Sequence, residues 1–323
     1  MSRTLSSVLF LQNPAVLPQQ LEQVHTTLNR ALPGVHVACA GAAEDVPEQP
    51  VDAVITPTLP WLPQALARVQ GCRWVHFLSA GVEKIWSMPV PWAHLTLSKS
   101  SGIHGPQMSE YALGALLHFS KGFDRFIEQS RQHQWQRFWL DELTGQTLMV
   151  LGGGPIGAAV AQRARVFGMR VIAVKRRPDP QEWADLTVDL QAARSHLGTV
   201  NALVVCLPLT AATRGIVDHD VLAALAPGAV LVDISRGGVV RNDAVVALLD
   251  AGHLRGAALD VFETQPLPAS SPLWNRPDVL LTPHVSGTSP HYLERALQVF
   301  LTNAEAWQAE LPLPTLVDQQ SCY

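Results

Sequence analysis

The stretch Leu148 to Pro178, LMVLGGGPIGAAVAQRARVFGMRVIAVKRRP, constrains what this chain can fold into more than any other. An apolar run, Leu148 to Leu151, breaks into Gly152-Gly153-Gly154-Pro155-Ile156-Gly157, passes through an Ala-rich segment and ends in a second apolar run, Val171 to Val174. That order reads as strand, tight turn, helix, strand. The spacing Gly152-x-Gly154-x-x-Gly157 is then a dinucleotide fingerprint, with one glycine for the turn, one for close approach of the backbone to a pyrophosphate, and one for packing helix on strand. A helix opening at Pro155 and Ile156 aims its first N–H groups and the positive end of its dipole at the phosphates. A bare glycine pattern arises by chance, but the flanking strands and helix give this one its context.

The end of the second strand bears on which dinucleotide. An NAD site places Asp or Glu about 20 residues beyond the fingerprint to accept the ribose 2′-hydroxyl. This chain has Lys175-Arg176-Arg177 in that region. Three cations can neutralise a 2′-phosphate, and arginine does so with a two-pronged hydrogen bond. The expected cofactor is therefore NADPH, with NADH possible; the alternative is a solvated basic loop.

With 323 residues the chain has room for two domains, each with its own core. Hydrophobic content of 47% against 15% charged residues describes a globular protein, and a net charge of −4 gives no reason to invoke nucleic acid or an acidic membrane surface. Cys39, Cys72, Cys206 and Cys322 are scattered and form no CxxC pair, so they read as ordinary thiols and neither a disulfide nor a metal framework is expected. The N-terminal apolar run is short and lacks a small-residue cleavage site, and no run approaches the roughly 18 residues of a membrane span. The expected location is the cytoplasm.

Along the chain, Val8 to Leu11 reads as a strand, Pro18 to Leu32 as a helix, and Val35 to Cys39 and Val51 to Ile55 as strands. This alternation predicts a parallel sheet with helices on its faces, preceding the fingerprint domain. Trp74 to Leu78 runs into Ser79-Ala80-Gly81, whose small side chains leave backbone N–H groups uncovered; a carboxylate-binding nest and an ordinary strand-to-helix turn both fit. Gln107 to Arg131 has helical spacing and predicts one long helix, reached through the turn-rich Ser100 to Pro106. The segment holding Trp135, Phe138 and Trp139 reads either as packed surface or as an arm. Beyond the fingerprint unit, Ala202 to Leu207, Ala229 to Ile234, Gly256 to Phe262 and Val279 to Thr282 predict further strands. In an open parallel sheet ligands bind beyond the carboxyl ends of the strands, so the chemistry belongs in the loops that follow. Pro290 to Leu311 predicts a closing helix that returns to the first domain.

LGGGPIG, CLPLTAATRG, VDISRGGVV, AALDVFETQPLP and LTPHVSG, in that order and spacing, resemble the D-isomer-specific 2-hydroxyacid dehydrogenases. SAGVEKI and QMSEYALGALLH are similar to the glyoxylate/hydroxypyruvate reductase A branch. The likeness is specific from about Ser79 onward and architectural before it. It implies an α/β fold of two Rossmann-like, doubly wound parallel-sheet domains, the cofactor domain (105–287) inserted into a flavodoxin-like substrate domain (1–104 and 288–323). Closure on a hinge near Gly105 and Gly287 would exclude water.

The resemblance also implies roles. Arg236 would hold the carboxylate and carbonyl oxygen of a 2-keto acid, which suits a planar, always-charged fork. His284 would protonate the carbonyl oxygen, and the Ala80 and Gly81 N–H groups would complete the carboxylate site. Asp260 matches a position that contacts the nicotinamide carboxamide, while Pro208, Thr213, Ile234 and Ser235 would line the cofactor. The substrate would be a small 2-keto acid, glyoxylate or hydroxypyruvate first, and the chain a homodimer paired through the cofactor domain and its long helix. One position departs from the family pattern: most relatives carry glutamate before the proline of ETQP, paired with the catalytic histidine, and here the residue is Gln265. An ionised neighbour favours the imidazolium and a neutral amide does not, although Gln265 can still orient the ring. Glu263 could substitute if the segment were extended. Two other readings stay open: a reductase of a larger keto acid such as phenylpyruvate, and a dinucleotide sensor that has lost turnover.

Overall fold

The computed structural model describes residues 4–319, so Cys322 lies outside the described residues. In chain order the elements are β1 (Ser7–Leu11), α1 (Leu17–Ala31), β2 (His36–Ala40), β3 (Ala53–Thr56), α2 (Leu62–Arg68), β4 (Trp74–Phe77), β5 (Thr96–Lys99), α3 (Gly105–Ser120) and α4 (Phe123–Arg131). They continue with β6 (Thr147–Leu151), α5 (Pro155–Val166), β7 (Arg170–Val174), β8 (Leu186–Val188), α6 (Leu190–Ala193), β9 (Ala202–Val205) and α7 (His219–Ala223). The last are β10 (Ala229–Asp233), α8 (Asn242–Asp250), β11 (Leu254–Leu259), β12 (Val279–Leu281) and α9 (Tyr292–Gln308). The described residues fall into two compact units, one running to Ile103 and resuming at Ser289, the other spanning His104–Thr288.

The first unit is a five-stranded sheet in the order β2-β1-β3-β4-β5, every pair parallel. That is the flavodoxin-like order, with its switch point between β1 and β3. Strands buried on both faces need apolar residues at every position, and β3 and β4 are buried throughout. The closing helix α9 belongs to this unit. It lays Phe300 and Trp307 against Trp74, with ring centroids 4.8 and 5.4 Å apart.

Within that core sits a histidine with a closed set of partners. The Trp74 Nε1–H donates to Ser98 Oγ, which lies 2.7 Å from His76 Nδ1, while His76 Nε2 lies 3.0 Å from Ser100 Oγ, whose hydroxyl donates to the Phe77 carbonyl. The arrangement satisfies a neutral ring, with Ser98 donating to Nδ1 and Nε2–H donating to Ser100. Burial pushes the His76 pKa down to about 3.

The second unit is a seven-stranded sheet in the order β12-β11-β10-β9-β6-β7-β8, again parallel throughout. The chain starts at β6, winds outward through β7 and β8, then returns to β9 and winds the other way. The switch point between β6 and β9 is where such sheets bind ligands. Strands β6 and β10 are buried at every residue, and helices α3 and α5 cover one face with Ala112, Leu116, Val160 and Ala164.

The single helix expected from Gln107 to Arg131 is in fact two. At Gly122 the backbone turns left-handed (φ 61°), a conformation that side-chain-bearing residues disfavour. A Cβ there would lie 2.7 Å from the Phe138 ring. The break starts α4, which buries none of its residues.

Candidate active site

The fingerprint loop leaves β6 and enters α5, and its glycines sit in three different steric settings. Gly152 has φ 107°, the turn that takes the chain off the strand. A Cβ on Gly157 would collide with the Gly152 carbonyl oxygen, so its absence lets helix pack on strand. A Cβ on Gly154 would meet nothing within 4 Å, which leaves that side of the loop open at the helix start. Pro155 occupies the first helical turn, where its missing N–H costs nothing. The N–H groups of that turn, including those of Ile156 and Gly157, have no acceptor within the helix. The open face and the N–H groups beside it fit a dinucleotide pyrophosphate.

Beyond β7, the Lys175 stem lies over Gly153 beside the Trp183 ring, so that a Cβ on Gly153 would collide with it. Arg176 and Arg177 are exposed, and neither is paired with a carboxylate among the described residues.

The remaining loops leave β9, β10, β11 and β12 along the same edge of the sheet. After β9, Thr213 Oγ1 donates to the Pro208 carbonyl at 2.6 Å and accepts from Thr210 N at 2.8 Å, which folds the loop into a compact turn. After β10, Ile234 and Ser235 are buried, and the Ser235 N–H and hydroxyl both donate to Asp233 Oδ1. The Arg236 guanidinium donates to the Ser235 carbonyl at 2.9 Å. Gly237 brings this loop against the next, since a Cβ there would collide with the Phe262 carbonyl.

His284 and Gln265 meet at the end of this edge, His284 Nδ1 lying 3.1 Å from Gln265 Oε1. The Gln265 amide is oriented by its other end, where Nε2 donates to the Phe262 carbonyl at 3.1 Å. Oε1 therefore faces the ring as an acceptor, Nδ1 carries the hydrogen, and Nε2 is the ring atom left for a ligand. Glu263 points elsewhere: it pairs with Arg214 at 3.0 Å, so it does not substitute for the carboxylate that Gln265 replaces.

His284 itself sits in left-handed backbone conformation (φ 57°), and Asp260 holds it there. The Asp260 carbonyl accepts from His284 N at 2.9 Å, and its carboxylate accepts from Val285 N and Ser286 N at 2.8 and 2.9 Å and from Thr282 Oγ1 at 2.6 Å. Tyr111 extends the chain from α3, its hydroxyl 2.7 Å from Thr282 Oγ1. Asp260 is fully buried, and this carboxylate organises the histidine loop. Tyr111 and Thr282 have no sequence motif of their own that announces this contact.

Behind the loops, Asp233 is buried with Ser235 as its partner. Burial, with a smaller contribution from the Asp260 charge, pushes its pKa up to about 7. Burial also raises the neighbouring Cys206 thiol above the ordinary range, which makes it inert.

Ala80 and Gly81 lie in the first unit, in the turn that follows β4. Both are partly exposed, and Ser79 Oγ donates to the Gly81 carbonyl at 2.7 Å. Among the described residues, no group of three or more His, Cys, Asp or Glu is arranged to hold a metal ion. No helix of the described residues is long and apolar enough to cross a membrane.

Comparison with known proteins gives concordant results. The profile of the D-isomer specific 2-hydroxyacid dehydrogenase NAD-binding domain matches residues 113–286. Glyoxylate/hydroxypyruvate reductase A of Serratia proteamaculans is 34% identical over 180 residues, which cover 56% of this chain and 58% of that protein. A D-isomer specific 2-hydroxyacid dehydrogenase from Xanthobacter autotrophicus, solved with NADPH and MES, superposes with a TM-score of 0.83 at 28% identity over 99% of this chain and 100% of the other. The NADPH-dependent glyoxylate/hydroxypyruvate reductase of Sinorhizobium meliloti, solved with NADP and sulfate, gives a TM-score of 0.82 at 26% identity, covering 98% of this chain and 100% of the other.

Proposed function

Since the chain belongs to the D-isomer-specific 2-hydroxyacid dehydrogenases, which are NAD(P)-dependent enzymes, we propose that it reduces a small 2-keto acid of the glyoxylate or hydroxypyruvate type to the 2-hydroxy acid with NADPH. When bound, the reduced nicotinamide supplies the hydride that reaches C2. The chain's own residues supply the rest. Arg236 holds the substrate carboxylate with its planar fork. His284 in its imidazolium form gives the Nε2 proton to the carbonyl oxygen, so that one hydride and one proton convert C=O to CH–OH. Gln265 accepts from Nδ1–H and keeps Nε2 turned to the substrate.

The observation that carries this reading is the 3.1 Å contact between His284 Nδ1 and Gln265 Oε1. It supports the reading because it orients the imidazole in a loop that leaves the carboxyl end of a strand, where open parallel sheets bind ligands. Preference for NADPH rests on Arg176 and Arg177, two unpaired cations at the end of β7, and on the NADPH and NADP bound by the two relatives of solved structure. Pro208, Thr213, Ile234 and Ser235 line the dinucleotide in this reading, and the Asp260 region faces the carboxamide. We read the protein as a cytoplasmic homodimer paired through the cofactor unit. The exposed α4 face, with Phe123 and Ile127, and the fully exposed Trp135 and Trp139 give such a pairing apolar surface to cover.

Purified protein mixed with NADPH and glyoxylate, hydroxypyruvate or pyruvate in turn should oxidise the nicotinamide, with slower oxidation of NADH. Tight NADPH binding without oxidation by any keto acid would instead mark a dinucleotide sensor.

A further inference from the structure

The loop that carries His284 runs from Thr282 to Gly287, and residues of α3 hold it at both ends. At its start, Thr282 Oγ1 donates to Asp260 at 2.6 Å, where a carboxylate oxygen can only accept. The single hydroxyl hydrogen of Thr282 is thereby used, so in the 2.7 Å contact with Tyr111 the phenol is the donor. Burial, with the charges of Asp260 and Asp233, pushes the Tyr111 pKa up to about 12, which keeps that hydrogen in place. At the far end of the loop, Gln107 Nε2 donates to the Gly287 carbonyl at 3.2 Å and lies 3.2 Å from His104 Nδ1. Gln107 and Tyr111 stand one turn apart on one face of α3. Helix and loop both belong to the second unit.

We infer that Tyr111 and Gln107 are positioning residues for His284: they fix the two ends of its loop to α3 and so set where Nε2 stands during proton transfer. The inference rests on the reductase reading above and deepens it. Between the two ends His284 adopts left-handed backbone (φ 57°), a conformation that persists only where the surroundings over-determine it. Asp260 supplies the inner restraints, through His284 N, Val285 N and Ser286 N. Those bonds tie the loop to the end of β11, and the α3 contacts add a second anchor on the helix that covers the sheet. Without that anchor the loop is free to relax, and a change in φ at His284 swings the whole imidazole. A misplacement of about 1 Å caused from outside the reacting groups can cost about a hundredfold in rate. Neither residue is assigned a contact with the dinucleotide, so the effect falls on the chemical step and spares NADPH binding.

The test is single-turnover oxidation of bound NADPH on rapid mixing with a saturating keto acid, in H2O and in D2O. The acid is whichever of glyoxylate, hydroxypyruvate and pyruvate reacts fastest with the parent. Single-turnover kinetics separate the chemical step from product release, and a poorly folded variant loses amplitude without losing rate. In Tyr111→Phe, which keeps the ring, and in Gln107→Met, which keeps the stem, the rate constant should fall at least about fivefold while NADPH affinity stays within about threefold. The solvent isotope effect should rise above the parent's, because a misplaced acid slows proton transfer itself. Thr282→Val breaks the chain at its middle and should be at least as slow as Tyr111→Phe. Combining the two should add nothing to Thr282→Val alone, and Thr282→Ser should keep at least about half of the parent's rate, since the hydroxyl chain is retained. A rate constant unchanged in either α3 variant, or a fall with an unmoved isotope effect, overturns the inference and leaves the reductase reading standing. A parent that oxidises no NADPH with any of the three acids overturns both.

Discussion

Replacing Gln265 with glutamate is the perturbation whose consequence follows most directly from the geometry. The variant puts a full negative charge where a neutral amide oxygen stands 3.1 Å from His284 Nδ1. At that separation a unit charge attracts an imidazolium by about 1.3 kcal/mol in bulk water and about 5 kcal/mol at an effective dielectric of about 20. Both side chains are exposed, so the lower figure governs, and about 1.4 kcal/mol corresponds to one pH unit. In the proposed reduction the ring gives up a proton, so activity falls on the alkaline side of the profile. The variant should hold its activity to a pH higher by about one unit, shown by an upward shift of the alkaline limb of the kcat/KM profile. A second effect opposes it in absolute rate. The amide Nε2 that donates to the Phe262 carbonyl becomes an oxygen facing an oxygen, which loosens the side chain and lowers the plateau. Gln265→Leu, which can neither charge nor accept, should lower the plateau without raising the limb. If the limb of Gln265→Glu coincides with that of the parent, the contact does not operate in the reacting enzyme and the assignment of Gln265 as the orienting partner is wrong.

Three further outcomes follow. Arg176→Ala combined with Arg177→Ala should raise the KM for NADPH at least tenfold while changing that for NADH less than threefold; equal changes for the two cofactors would assign the pair to general surface charge. Asp233→Asn keeps an acceptor for Ser235 but cannot ionise. The native carboxyl has its folded pKa raised to about 7, so it binds its proton more tightly folded than unfolded, and the stability this confers is lost as the pH rises from about 4 to 7. Urea unfolding should show the variant gaining on the parent at pH 8 relative to pH 5, by at most about 1.4 kcal/mol per pH unit of that window, and a gain that is the same at both pH values counts against a buried carboxylate. His76 works in the opposite direction. Its folded pKa is lowered to about 3, so the stability of the neutral buried ring is complete above about pH 6.5 and is lost progressively as the pH falls toward 3. The parent should lose stability more steeply than His76→Phe between pH 6 and 4, and parallel slopes would contradict a buried neutral ring.

The parallel sheets were legible because a strand buried on both faces has to be an uninterrupted apolar run, as β6, β9 and β10 are. Strand β5, with the sequence Thr96-Leu97-Ser98-Lys99, and the three-residue β8 carry no such run and escaped notice. Gly122 breaks the long helix by a conformation that its neighbours' helical spacing conceals. In the site, the glycines of the fingerprint could be given their roles from spacing, because each role is a local steric need. The contact between Gln265 and His284 was approachable only through the family resemblance, since 19 residues separate them. Tyr111 and Thr282, 171 residues apart, were beyond reach. A hydrogen-bond chain that spans a helix and two strand ends leaves no periodicity or spacing to read. The buried Asp233 was equally hidden, as its environment is set by strands distant in sequence.

The role of His284 as proton donor is best tested by turnover of His284→Ala alongside its affinity for NADPH. General acid catalysis contributes about 10²- to 10⁴-fold, so kcat with the best keto acid should fall by at least about a hundredfold while NADPH binding, followed by fluorescence, stays within about threefold of the parent. A variant that keeps more than a tenth of the parent's turnover would show that the proton comes from elsewhere.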